Sequence, residues 1–152
     1  MYKKILIFLF ILTGLNSCGF SPIYTDNLNK NFNIQIIEKS GDRDSNNFIE
    51  LNLKNYLNDK NENKFVLKIY TEVQKDSIAK DTSGKTTDYE LEVISNFQIT
   101  YKDNVKNVKI TESFSYKSID DKLTELNYEK SIKKNISSII VQKLLSHLSR
   151  IK

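Results

Sequence analysis

The side chains able to do chemistry in this 152-residue sequence are few. Cys18 is the only thiol, His147 the only imidazole and Asp120-Asp121 an adjacent carboxylate pair. With a single cysteine, an internal disulfide and a cysteine metal cluster are both excluded, so the thiol is free for modification. Ser-His-Asp catalysis needs a histidine placed beside an activated serine, and no nucleophile motif surrounds the serines available to His147. His147 lies instead in a C-terminal apolar helical pattern, where an imidazole is favoured by the helix dipole. Asp120-Asp121 opens the segment before that helix, the place where carboxylates favour the N-terminal dipole, and is read as structural rather than as a general acid and base. No Gly-rich phosphate loop is present. These absences point away from an enzyme and towards a binding or structural role.

What precedes Cys18 says where its thiol goes. Lys3 and Lys4 are followed by the apolar run Ile5 to Leu12, then by Leu15-Asn16-Ser17-Cys18. An apolar run this short spans about 12 Å as a helix, against the ~20 residues that cross a bilayer, so it reads as a secretion signal rather than a permanent anchor. Leu15-Asn16-Ser17-Cys18 resembles a bacterial lipoprotein box. That resemblance implies that residues 1–17 are a signal peptide, that the Cys18 thiol receives a diacylglycerol, and that cleavage before Cys18 exposes an amine which is then acylated. Two or more acyl chains anchor stably where one is reversible, each buried CH2 contributing about 0.8 kcal/mol. Gly19 stands where some bacteria use an aspartate to retain lipoproteins in the inner membrane, so the resemblance favours the outer membrane. No cofactor is implied beyond the covalent S-diacylglycerol and N-acyl groups.

A chain beginning at Cys18 has 135 residues, the length of one domain. Loss of Lys3 and Lys4 leaves 21 basic against 19 acidic residues, lowering the formal charge from +4 to +2. A balance this close to neutral assigns no nucleic-acid role. Residues 18–31, with Phe20, Ile23, Tyr24 and the only proline, Pro22, form an extended lipidated tether. Residues 32–152 form a single domain.

The elements of that domain follow from periodicity. Phe32, Ile34 and Ile36 alternate as a strand. After a polar break from Gly41 to Asn47, the spacing of Phe48, Ile49, Leu53, Tyr56 and Leu57 predicts a helix capped by Asp44 or Ser45 and ended by the run Asn58 to Asn63. Phe65 to Val73, Tyr89 to Tyr101 and Val108 to Tyr116 each alternate as strands, joined by turns at Asp81 to Gly84 and at Lys102-Asp103-Asn104. One face of this meander is apolar apart from Glu112, expected at the sheet margin. The other is polar, with Tyr70 and Ile94 as apolar exceptions. Ile132, Ile136, Ile139, Ile140, Leu144, Leu148 and Ile151 form a helical stripe, starting between Thr124 and Glu129, that covers the apolar face. The expected fold is α+β: a four-stranded mixed sheet in the order strand, helix, three strands, helix, with both helices packed on one face.

Cys18-Gly19-Phe20-Ser21-Pro22-Ile23-Tyr24, together with Tyr89-Glu90-Leu91, Ser115-Tyr116 and the C-terminal helix with its leucine-rich end, resembles the LptE family, the outer-membrane lipoproteins of lipopolysaccharide transport. Lys133, Lys134 and Asn135 depart from the alanine and arginine usual in the last helix of that family. The resemblance implies a plug inside an LptD-type outer-membrane β-barrel that helps assemble the barrel and contacts lipopolysaccharide. A polar sheet face suits a polar barrel lumen, and Tyr70 and Ile94 become candidate partner contacts. The meander gathers Lys75, Lys80, Lys85, Lys117 and Lys122 at one end of the sheet, where ammonium groups could meet the phosphates and acidic sugars of lipopolysaccharide. Asp76, Asp81, Asp88, Asp120 and Asp121 share that end and offset the charge. The alternative is a lipoprotein adaptor of another envelope complex with no lipopolysaccharide contact.

Overall fold

The computed structural model describes residues 33–57 and 64–151, so Cys18, the tether, Phe32 and the run Asn58 to Asn63 lie outside the described residues. Strand β1 (Ile34–Gly41) leads into helix α1 (Arg43–Leu53) and a 3-10 turn (Lys54–Tyr56). Three strands follow, β2 (Phe65–Lys80), β3 (Thr86–Tyr101) and β4 (Asn104–Lys117), then the long helix α2 (Lys122–Ser149). The sheet order is β1-β2-β3-β4. β1 runs parallel to β2, and the other two pairings are antiparallel. This is the expected α+β arrangement.

Register explains the core. Leu67 sits opposite Ile99, Ile69 opposite Phe97 and Phe97 opposite Val108, so the alternate positions of three strands face one way and are buried together. Ile49 and Leu53 of α1 and Ile132, Ile136, Ile140, Leu144 and Leu148 of α2 close over them. Phe65 and Tyr101 stack with ring centroids 4.4 Å apart at the end of the sheet that carries the β3-β4 turn. In that two-residue turn Lys102 takes φ 53, the left-handed conformation a tight hairpin demands.

Four local expectations are corrected. The cap of α1 is Asp42, whose carboxylate accepts the Ser45 N–H at 2.8 Å, rather than Asp44 or Ser45. The polar break from Gly41 to Asn47 is therefore already helix from Arg43, with its buried Ser45 and Asn46 turned inward. Helix α2 starts at Lys122, ahead of Thr124, because Asp121 accepts the Thr124 N–H at 2.8 Å and so begins the helix earlier. Ile139 is exposed, since α1 packs on the opposite flank and the buried set becomes Ile140, Val141, Leu144 and Leu145. Glu112 does lie on the margin: β4 is an edge strand, and Glu112 pairs with Lys143 of α2.

The joint between β1 and α1 is a polar knot inside the core. Gly41, at φ 88, brings its backbone against Thr71 of β2, and Asp42 N–H donates to the Thr71 carbonyl at 2.7 Å. The buried Asn46 side chain donates to the Ser40 carbonyl at 2.8 Å and accepts from the Thr71 hydroxyl at 2.8 Å. Lys133 of α2 reaches the second Asp42 oxygen at 2.8 Å, and Ser137 donates to the Ser45 carbonyl. Burial pushes the Asp42 carboxyl up, but the hydrogen bonds from Lys133 and Ser45 outweigh it and hold the group below its ordinary range. The partners in this knot come from β1, α1, β2 and α2, so it fixes where both helices sit on the sheet.

Candidate functional site

At about 3.3 Å per residue, the 16-residue strands β2 and β3 reach roughly 53 Å, beyond the ~42 Å of α2. The hairpin therefore runs on past the helix layer, and every residue from Asp76 to Lys85 is exposed. Where the hairpin leaves the core, Lys75 continues the inward-facing series of Phe65 to Val73 but brings an ammonium where the helix offers acids. Its Nζ lies 2.7 Å from Glu125 and 2.7 Å from Glu129, and 4.0 Å from the Tyr89 ring centroid. Tyr116 donates its hydroxyl to Glu129 at 2.6 Å, and Lys122 reaches the other Glu125 oxygen at 2.7 Å. Desolvation opposes the Lys75 charge, yet the hydrogen bonds to Glu125 and Glu129 win and raise its pKa above the ordinary lysine value. Burial, then the Glu129 hydrogen bond, pushes the Tyr116 phenol up to about 12. The Lys122 and Lys75 ammonium groups hold Glu125 below its ordinary value. This is a charge-balanced latch between the hairpin and the first turns of α2. Its groups are mutually satisfied, and it holds no activated nucleophile.

The structure places the five sequence-derived lysines at one end of the sheet but in different situations. Lys75 is turned to the core face and is held by two carboxylates, and Lys122 is held by Glu125. Lys85 pairs with Asp120 at 2.9 Å, both side chains being well exposed. Lys80, opposite Thr86, and Lys117, opposite Asp88, are exposed and, among the described residues, free of ion pairs. Of the acids at this end, Asp81 is consumed by the turn itself, accepting from the Ser83 hydroxyl and N–H and from the Lys85 N–H, and Asp121 by its cap. Of the five, Lys80 and Lys117 are thus the ammonium groups that no carboxylate of the described residues holds.

Sequence reasoning missed Glu125, Glu129, Tyr89 and Tyr116 as members of this site. The signal was there: Glu125 and Glu129 extend the Ile132 and Ile136 stripe towards the helix N-terminus, so two acids occupy positions that otherwise face the core, and a cation was needed opposite them.

The sheet face away from the helices is polar, as expected. Tyr70, 46% exposed, lies opposite Asn96, and Ile94, half-buried, lies opposite Glu72, so the two apolar side chains are diagonal neighbours across the β2-β3 pair. Tyr70 also lines a shallow concavity of about 510 Å³ that spans all four strands, with Lys68, Asn96, Gln98, Asn107 and Lys109 around it. Lys68 is answered by Glu38 at 3.1 Å. Among the described residues no group of acidic, histidine or cysteine side chains is arranged to hold a metal ion, and no helix is long and apolar enough to cross a membrane.

No family model matches this chain, and neither does any curated protein. Solved structures do. Rare lipoprotein B from Shewanella oneidensis is 15% identical, with a TM-score of 0.58 over 77% of this chain and 98% of that one. A minor lipoprotein from Acinetobacter baumannii is 15% identical, with a TM-score of 0.51 over 72% of this chain and 93% of that one. A lipoprotein B from Nitrosomonas europaea is 14% identical, with a TM-score of 0.52 over 79% of this chain and 85% of that one. At such identities what is shared is the fold, and this chain has the α+β fold of these bacterial lipoproteins over most of its described length.

Proposed function

We propose that this chain is a lipid-anchored envelope lipoprotein that sits at the outer membrane as the plug and assembly partner of an LptD-type β-barrel, in contact with lipopolysaccharide. The observation that carries the reading is a coincidence of two independent features. The described domain shares its fold with lipoproteins, and the sequence ahead of it supplies Leu15-Asn16-Ser17-Cys18 followed by the LptE-like Gly19-Phe20-Ser21-Pro22-Ile23-Tyr24. The polar outer sheet face, with Tyr70 and Ile94 side by side, suits a wet lumen lined by polar side chains.

Two experiments test it. Intact-mass analysis of the protein from membranes is expected to find Cys18 at the N-terminus carrying diacylglycerol and an acyl chain, and Cys18→Ala is expected to leave an uncleaved precursor or a soluble product. An unacylated N-terminus in the wild type removes the anchor from the proposal. Membranes solubilised in mild detergent are expected to yield a large heat-modifiable β-barrel with a tagged copy, and Tyr70→Ser with Ile94→Ser is expected to lower that recovery several-fold without unfolding the domain. Recovery of inner-membrane subunits alone would favour the second reading, an adaptor of another envelope complex without lipopolysaccharide contact. That reading draws support from the neutralisation of Lys75, Lys85 and Lys122 by acids of the protein itself.

A further inference from the structure

Helix α2 carries one continuous face that is treated differently in its two halves. Leu123, Leu126, Lys130 and Lys134 fall within an arc of about 80° at 3.6 residues per turn, and the same arc continues as Ser137, Val141, Leu144 and Leu148. The second group is buried. Its cover is α1, whose start is marked by the contacts of Asp42 with Lys133 and of Ser45 with Ser137. Helix α1 has 11 residues against the 28 of α2, so towards the N-terminus of α2 the face loses its cover. There Leu123 is 68% and Leu126 51% exposed. Lys130 and Lys134, beside them on the arc, are exposed and make no ion pair among the described residues. No Asp or Glu of α2 falls on this arc; Glu125 and Glu129 are turned to Lys75.

We infer that this uncovered face of α2, Leu123, Leu126, Lys130 and Lys134, lies on an anionic lipid surface, with the leucines in the headgroup boundary and the two ammonium groups on lipid phosphates. The two leucines offer apolar area, and the unanswered lysines supply charge complementarity to anionic headgroups, the combination that places a helix flat on a bilayer. The inference stands apart from the barrel partner and concerns a second hold on the membrane besides Cys18.

The test uses the chain from residue 18 with Cys18→Ser, so that no acyl group contributes, sedimented with vesicles of phosphatidylglycerol and phosphatidylethanolamine or of phosphatidylcholine alone. Preferential binding to the anionic vesicles at low salt, falling as salt rises, is expected. Leu123→Ser with Leu126→Ser, and separately Lys130→Gln with Lys134→Gln, should each weaken it at least about fivefold, the lysine pair also flattening the salt dependence. Val105→Ser, at an exposed site at the other end of the sheet, should leave it unchanged. Circular dichroism of each variant separates lost binding from lost fold. Absence of anionic preference in the wild type, or unchanged binding in both folded variants, overturns the inference, as does a photocrosslinker at residue 126 that captures protein and no lipid in intact membranes.

Discussion

Gly41→Ala is expected to lower stability by about 3–5 kcal/mol, a large share of the roughly 5–15 kcal/mol that holds a domain together. Two costs add. At φ 88 an alanine sits in the left-handed region, worth roughly 1–2 kcal/mol against an L side chain. The new Cβ would also stand 2.0 Å from the Thr71 carbonyl oxygen and 2.9 Å from its carbon, both backbone atoms of a central strand that cannot rotate away. Relief requires β1 to move off β2, which breaks the 2.7 Å Asp42 to Thr71 hydrogen bond and pulls the Asp42 cap away from Ser45 and Lys133. Gly84→Ala is the control. Its φ is 84, nearly the same, but nothing lies within 4 Å of the added Cβ, so only the conformational cost of about 1–2 kcal/mol applies. Urea unfolding of the two variants measures the difference. Equal losses would mean that the approach to Thr71 contributes nothing.

That position also shows where sequence reading stopped. The strands of the meander were legible because Phe65, Leu67 and Ile69, and Val93, Phe97 and Ile99, alternate strictly, and period-2 alternation has one physical meaning in a half-buried strand. The long last helix was legible from Ile132, Ile136 and Ile140 for the same reason. Local polarity was what misled. Asp42, Ser45 and Asn46 look like a solvated break, but Asp42 is used by the cap, Asn46 by Ser40 and Thr71, and Ser45 is buried under α2 with its backbone carbonyl accepting from Ser137. Polar side chains satisfied by distant partners carry no periodic signal, since the partner is 25 residues away in one case and 91 in another. The lysines at the end of the sheet illustrate the converse. Topology gathered all five as expected, but whether each faces a ligand or an acid of its own chain depends on α2, whose first turn starts two residues earlier than Thr124 and so brings Glu125 and Lys122 into line with Lys75.

Lys75→Met is expected to destabilise the domain by about 1.5–3 kcal/mol at neutral pH, and the loss is expected to shrink in acid. Methionine keeps most of the stem's packing against Tyr89 and removes the charge, so the cost lies in what it leaves behind: Glu125, whose side chain is 7% exposed, and Glu129, at 14%, facing each other with no ammonium between them. In the wild type, Lys122 and Lys75 hold Glu125 below the ordinary glutamate value of 4.5, so its contribution is present above that pH and is lost as pH falls through the folded value. Lys75 is raised, so its contribution is present below 10.5 and is lost as pH rises through its folded value; the Tyr116 phenol, raised to about 12, gives way from 10 upward. The wild type therefore has a plateau between the two limits. In the variant Glu125 keeps only Lys122 and gains an uncompensated like-charged neighbour, so its proton affinity rises and protonation relieves the repulsion. The gap between the two proteins should thus be largest near pH 7 and smaller near pH 4.5, measured by urea unfolding of the Cys18→Ser chain. Adding Glu125→Gln to Lys75→Met should recover part of the loss at pH 7 and little at pH 4.5, because it removes the repulsion that acid would otherwise remove. A loss that stays constant from pH 4.5 to 7 would assign the whole effect of Lys75 to packing and make the latch at the root of the hairpin apolar in its energetics.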